Sequence, residues 1–209
     1  MREQPVNFDS DGLTLEGLYA PPANPGARGC VVCHPHPLYG GTMYNNVVDA
    51  ALAAMWSKGW ATLRFNFRGV GQSEGEHDGG RGEANDAAAA IKWLTAQASV
   101  AAKGAVLGGY SFGAMAAAAA APKIPDLAAL VLIALPIGMM EPAGLDRYGG
   151  AVMLVAGDQD GYCPASKLKA LHERLGARGQ MRIVAGADHF FGGFEAELQS
   201  EIEAMLAAL

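Results

Sequence analysis

Cysteine is scarce in this 209-residue chain, with three thiols, and no apolar run approaches the length of a membrane span. The odd count of Cys30, Cys33 and Cys163 leaves no disulfide framework that pairs every thiol. Cys30-Val31-Val32-Cys33 has the redox spacing Cys-x-x-Cys, but it falls inside an apparent strand. Positions three apart on a strand point to opposite faces, so both thiols read as small buried apolar groups. The longest apolar runs, residues 114–121 and 127–136, stop well short of the roughly 20 residues that a spanning helix needs. Met1-Arg2-Glu3-Gln4-Pro5-Val6-Asn7 lacks the apolar core of a signal peptide, so a cytoplasmic location is expected. Charge is also sparse, at 17% of residues, and it is acidic: 15 Lys and Arg against 21 Asp and Glu, a net −6. With no basic stripe, a nucleic-acid partner is not expected.

What is present is a globular composition, 51% hydrophobic, in a chain of the length of one domain, residues 1–209. Residues 6–8 and 13–19 read as strands joined by the turn Asp9-Ser10-Asp11-Gly12. Leu13, Leu15, Gly17 and Tyr19 alternate with more polar positions, as on a half-exposed antiparallel edge hairpin. From Gly29 onward strands and helices alternate. Strands are expected over 29–33, 60–67, the residues ending at Tyr110, 127–135, 151–156 and 180–185. Helices are expected over 45–58, 83–97, the alanine-rich run after Ser111, 164–175 and 194–209. Short continuous apolar strands between helical segments predict a mostly parallel sheet with helices on both faces. In such a sheet the functional loops follow the C-terminal ends of the strands.

Four of those loops carry unusual chemistry. The first is Gly109-Tyr110-Ser111-Phe112-Gly113, between an apolar strand and a helix. A serine on a sharp strand-to-helix turn needs neighbours without Cβ, and the helix that leaves it directs unpaired N–H groups at the hydroxyl. Gly-x-Ser-x-Gly alone can be a mere glycine-rich junction, so the remaining loops decide. A serine hydroxyl attacks only when an imidazole takes its proton. Of the five histidines, His172 lies on a polar helix face and His77 in a polar loop, where surface exposure is expected. His189 follows the last strand and is the expected base. The acid that orients it comes from Gly157-Asp158-Gln159-Asp160: Asp160 lies further out in the loop and is favoured over Asp158, which suits local backbone bonding. The order Ser111, Asp160, His189 is that of a strand-to-helix nucleophile, not of the chymotrypsin or subtilisin arrangements.

His34-Pro35-His36-Pro37 admits two readings. His-x-His after a strand can open a metal site, but that needs further ligands on other strands, which this chain does not offer. The alternative is a loop that presents backbone N–H to a developing oxyanion. Pro35 and Pro37 have no N–H. His36 is the chosen donor, with Leu38 in reserve, and Phe112 N–H supplies the other.

Taken together, His34-Pro35-His36-Pro37-Leu38-Tyr39-Gly40-Gly41-Thr42-Met43, Arg64-Phe65-Asn66-Phe67-Arg68-Gly69-Val70-Gly71-Gln72-Ser73-Glu74-Gly75, Gly109-Tyr110-Ser111-Phe112-Gly113 and Gly157-Asp158-Gln159-Asp160 resemble the α/β-hydrolase superfamily. Within it the chain is similar to small bacterial serine esterases of the dienelactone-hydrolase-like group, over nearly its full length. The resemblance implies an α/β-hydrolase fold with no large cap domain. It also implies a cofactor-independent and metal-free serine hydrolase that acts on small-molecule esters through Ser111, Asp160 and His189. The chain departs from the group at His34-Pro35, where His-Gly is usual, and at Phe67, where Asp is commoner. Without a lid the pocket should be shallow and open, with Tyr39, Tyr110 and Met139 as substrate contacts. Arg68 either meets an acidic substrate group or braces its own loop. A peptidase or amidase on the same three residues, or a binding module that retains the fold, is the alternative.

Overall fold

A computed structural model of the chain describes residues 2–209. The hairpin forms from β1 (Gln4–Ser10) and β2 (Leu13–Ala20), with Asp11 and Gly12 of the turn both at positive φ. Six further strands follow: β3 (Gly29–Cys33), β4 (Ala61–Phe65), β5 (Val106–Tyr110), β6 (Ala129–Ile133), β7 (Ala151–Gly157) and β8 (Gly179–Val184). Their order across the sheet is β1-β2-β4-β3-β5-β6-β7-β8. The β1–β2 and β2–β4 pairs are antiparallel, and all pairs from β4 to β8 are parallel. The antiparallel hairpin therefore closes one edge of a parallel sheet.

Four helices lie between strands, α1 (Asn46–Ser57), α2 (Arg81–Thr95), α3 (Phe112–Ala120) and α4 (Ala165–Leu175), and a fifth, α5 (Glu195–Leu206), follows β8. Helices α1 and α5 pack against one face, and α2, α3 and α4 against the other. The apolar stripe of α2, Ala87, Ala90, Ile91 and Leu94, is buried as its spacing predicts. So are Leu198, Ile202 and Leu206 of α5. Strands β3, β5 and β6 are buried at every position, because helices cover both of their faces. Cys30 and Cys33 lie in the cores on opposite faces of the sheet, and all three thiols are free and buried. No helix among the described residues is long and apolar enough to cross a membrane.

Two strands are shorter than expected, each for a local reason. The one expected over 60–67 ends at Phe65: Asn66 N–H still bonds in register to Glu16 O of β2, but Phe67 N–H leaves the sheet for the ring of His34. The one expected over 127–135 ends at Ile133, where Ala134 takes a φ of +47°.

Candidate active site

Ser111 sits between β5 and α3 with φ +54° and ψ −118°, a backbone strain of about 1 to 3 kcal/mol that surrounding packing must hold. The flanking glycines are what make this packing possible. A Cβ on Gly109 would stand 2.2 Å from Gly113 O, and one on Gly113 would stand 2.3 Å from Cys33 O. The first turn of α3 thus rests on the backbone at the end of β3. That contact brings the loop after β3 alongside the serine.

The residues grouped from the sequence meet here. His189, after β8, places Nε2 2.9 Å from Ser111 Oγ. Its Nδ1 lies 2.8 Å from Oδ2 of Asp160, in the loop after β7. Asp160 is buried, and its other oxygen accepts N–H bonds from Tyr162 at 2.8 Å and Cys163 at 2.9 Å. A carboxylate can only accept, so Nδ1 carries the imidazole proton and Nε2 presents its lone pair to the serine O–H. Asp158 takes the local role expected of it, accepting Gly186 N–H at 2.7 Å.

Two backbone donors of residues that line the cleft have no hydrogen-bond partner among the described residues: Phe112 N–H, at the start of α3, and His36 N–H. The rings of these two residues are 4.7 Å apart. The reserve donor is engaged, since Leu38 N–H donates to His36 Nδ1 at 3.2 Å.

His34 has a separate place. Its ring is fully buried, accepts Phe67 N–H on Nε2 at 3.0 Å, and holds Nδ1 2.7 Å from Pro35 O. Both nitrogens are thus used within the fold, and the ring ties the loop after β3 to the loop after β4. Burial pulls its pKa from 6.5 down to about 4, opposed by the bond to Pro35 O and by the charge of Glu83. Because the folded-state value is depressed, the unfolded chain binds a proton between these two pH values that the folded chain does not. Stability is therefore expected to fall by about 3 kcal/mol as pH drops from 6.5 through 4 on account of this ring alone. Urea midpoints across that range measure it, and His34→Gln should show a shallower acid slope.

Arg68 resolves to the bracing role. Its Nη2 and Nε reach Asp86 at 2.7 and 3.0 Å, and Asp11 lies at 3.3 Å. Asp86 is wholly buried on α2 and also accepts from Ser10 Oγ and Arg68 N–H. The guanidinium is committed to the hairpin, the loop after β4 and α2.

The cleft over Ser111 has a volume of about 1090 Å³. Ala116 and Ala119 of α3 and Ala84 of α2 form part of its lining. Tyr39 and Met139 stand at its rim, 87% and 70% exposed, together with Met140 and Phe190. Tyr110 differs from the contact role assigned to it. It borders the cleft but is buried, and its hydroxyl donates to His189 O at 3.0 Å, which fixes the loop carrying the imidazole. His77 also departs from expectation. Its side chain is 17% exposed and stands 2.7 Å from Glu83, because the loop before α2 folds back over the helix start.

Sheet order, hairpin edge and helices on both faces define an α/β-hydrolase fold without a lid. Residues 11–190 match the X-Pro dipeptidyl-peptidase (S15) family, and the chain belongs to it. It is 36% identical over 194 residues to an uncharacterized protein of Rickettsia prowazekii, covering 89% of this chain and 81% of that one. Among solved structures it is similar to an α/β serine hydrolase homologue from Coxiella burnetii, with 33% identity and a TM-score of 0.88 over 99% of this chain and 98% of that one. A serine hydrolase without lid from Xanthomonas campestris has 27% identity and a TM-score of 0.88, over 100% of this chain and 95% of that one.

Proposed function

We propose that this protein is a cofactor-independent serine hydrolase that cleaves carboxylic esters, thioesters included, through an acyl-enzyme, and that its 209 residues act as one domain. The observation that carries the reading is the unbroken line of hydrogen bonds Asp160–His189–Ser111 beneath an open cleft. Ser111 Oγ attacks the ester carbonyl while His189 Nε2 takes its proton. The imidazolium that forms is stabilised by Asp160, whose second oxygen is already saturated by backbone N–H groups. His36 and Phe112 N–H receive the oxyanion. Their freedom from other partners means that no bond must break when charge develops. His189 then protonates the leaving alcohol, and water repeats the sequence to release the acid.

The family's peptidase members motivate a second reading, release of an X-Pro dipeptide. An enzyme that counts two residues from an N-terminus must hold an ammonium group with a carboxylate. Among the described residues that line the cleft, Glu141 is the one carboxylate, and it is exposed and paired with Arg174 at 3.4 Å. That supports esters over dipeptides. Parallel assays with p-nitrophenyl butyrate and an X-Pro p-nitroanilide decide between them. Turnover of the ester without the anilide is expected, and efficient anilide cleavage would reverse the assignment.

A further inference from the structure

The proposed reaction uses one imidazole–carboxylate pair, and the cleft holds a second. Nδ1 of His77 lies 2.7 Å from Oε1 of Glu83, a residue with no solvent exposure in the first turn of α2. Glu83 also accepts N–H bonds from Asp78 at 3.0 Å and Gly80 at 2.8 Å, so it is held as a carboxylate acceptor. The contact is one of proximity: His77 Nδ1 is buried and makes no well-formed hydrogen bond to Glu83 or to any other described residue. Two lone pairs at that separation would repel, so the proton of neutral His77 sits on Nδ1, and Nε2 offers a lone pair.

Beside it stands His36, with ring centroids 5.0 Å apart and both rings against Phe112. His36 has the opposite tautomer, since its Nδ1 accepts Leu38 N–H and its Nε2 must carry the proton. Burial lowers the His36 pKa, which favours this neutral form. Neither Nε2 has a partner among the described residues, and both rings line the cleft. The wall next to the two free backbone donors thus offers one hydrogen-bond donor and one acceptor side by side.

We propose that His36 and His77 form a hydroxyl-recognition subsite, so that the favoured substrate is an ester bearing a hydroxyl close to the scissile carbonyl. The proposal rests on the serine-hydrolase reading of the same cleft. A hydroxyl is the smallest group that accepts from His36 Nε2–H while donating to His77 Nε2. An alkyl group there would leave both nitrogens desolvated and unpaired. A carboxylate would meet the lone pair of neutral His77.

Two matched comparisons test it. Propyl 3-hydroxybutyrate against propyl butyrate places the hydroxyl on the acyl side. 2,3-Dihydroxypropyl butyrate against propyl butyrate places it on the alcohol side. The wild type is expected to favour the hydroxylated member of one pair by about ten-fold in kcat/KM. His77→Phe should bring that ratio to about one, whatever it does to the absolute rates, and His77→Gln, which restores an acceptor, should recover part of it. A purely structural role would change both members of a pair in parallel and leave the ratio intact. A wild-type ratio near one in both pairs, or a ratio that survives His77→Phe, overturns the subsite alone. Failure of the wild type to hydrolyse any of these esters would remove the serine-ester reading and the subsite with it.

Discussion

Ser111→Ala is expected to lower kcat on activated esters by roughly 10⁶-fold, and adding His189→Ala to it should cost little more. The geometry is the reason. The hydroxyl and the imidazole are 2.9 Å apart, and each is useless for covalent attack without the other. The serine cannot form a strong nucleophile unaided, and the imidazole has no other proton to accept from the protein. Residues that act as a unit give losses that do not add, so the double variant is as informative as either single one. Removing the serine leaves the free N–H groups of His36 and Phe112 and the cleft itself in place, so weak residual turnover above the uncatalysed rate is compatible with the account. Rates measured for the three variants on p-nitrophenyl butyrate check this. A single variant that keeps near-normal turnover would be incompatible with it.

The second large effect is expected at Asp160. Asp160→Asn should lower kcat by on the order of 10⁴-fold with little change in shape, because an amide can donate to Nδ1 and so favour the tautomer with its proton on Nε2. That tautomer has no lone pair for the serine. Asp158→Asn is the matched control: its oxygen accepts a backbone N–H from Gly186, and an amide oxygen can do the same. Near-normal turnover in Asp158→Asn beside a deep loss in Asp160→Asn would separate two acids that are only two positions apart. The reverse result would exchange their roles. Asp160 also anchors Tyr162 and Cys163 N–H, so thermal midpoints of both variants should accompany the kinetics.

Much of this arrangement was legible in the sequence because the signals were local. Apolar runs bounded by Gly and Pro located the strands, and a helical stripe located α2 and α5. The serine motif is readable for the same reason: steric crowding at one turn admits glycine alone at Gly109 and Gly113. Asp160 and His189 could be picked out because few acids and histidines follow strand ends.

The rest depended on contacts between distant segments. That Asp86 partners Arg68, and that Glu83 meets His77, is not evident from either loop alone. A signal was present in both cases. Glu83 and Asp86 fall on the same stripe of α2 as Ala87, Ala90, Ile91 and Leu94, and an acid on an apolar stripe must find a partner inside the fold. His77 reads as a surface residue because its neighbours Glu76 and Asp78 are polar, yet the helix start that covers it lies further along the chain. Tyr110 has a similar lesson. Its position beside the serine suggests substrate contact, whereas its hydroxyl reaches the carbonyl of His189, 79 residues away.

The central claim is that Ser111 is a nucleophile activated by His189. Reaction with a fluorophosphonate probe, read by intact mass and by peptide mapping, tests this most directly because it needs no knowledge of the natural ester. The account predicts one adduct, located on Ser111, and its absence in both Ser111→Ala and His189→Ala. No adduct on the folded wild-type protein, or an adduct on another residue, would contradict it.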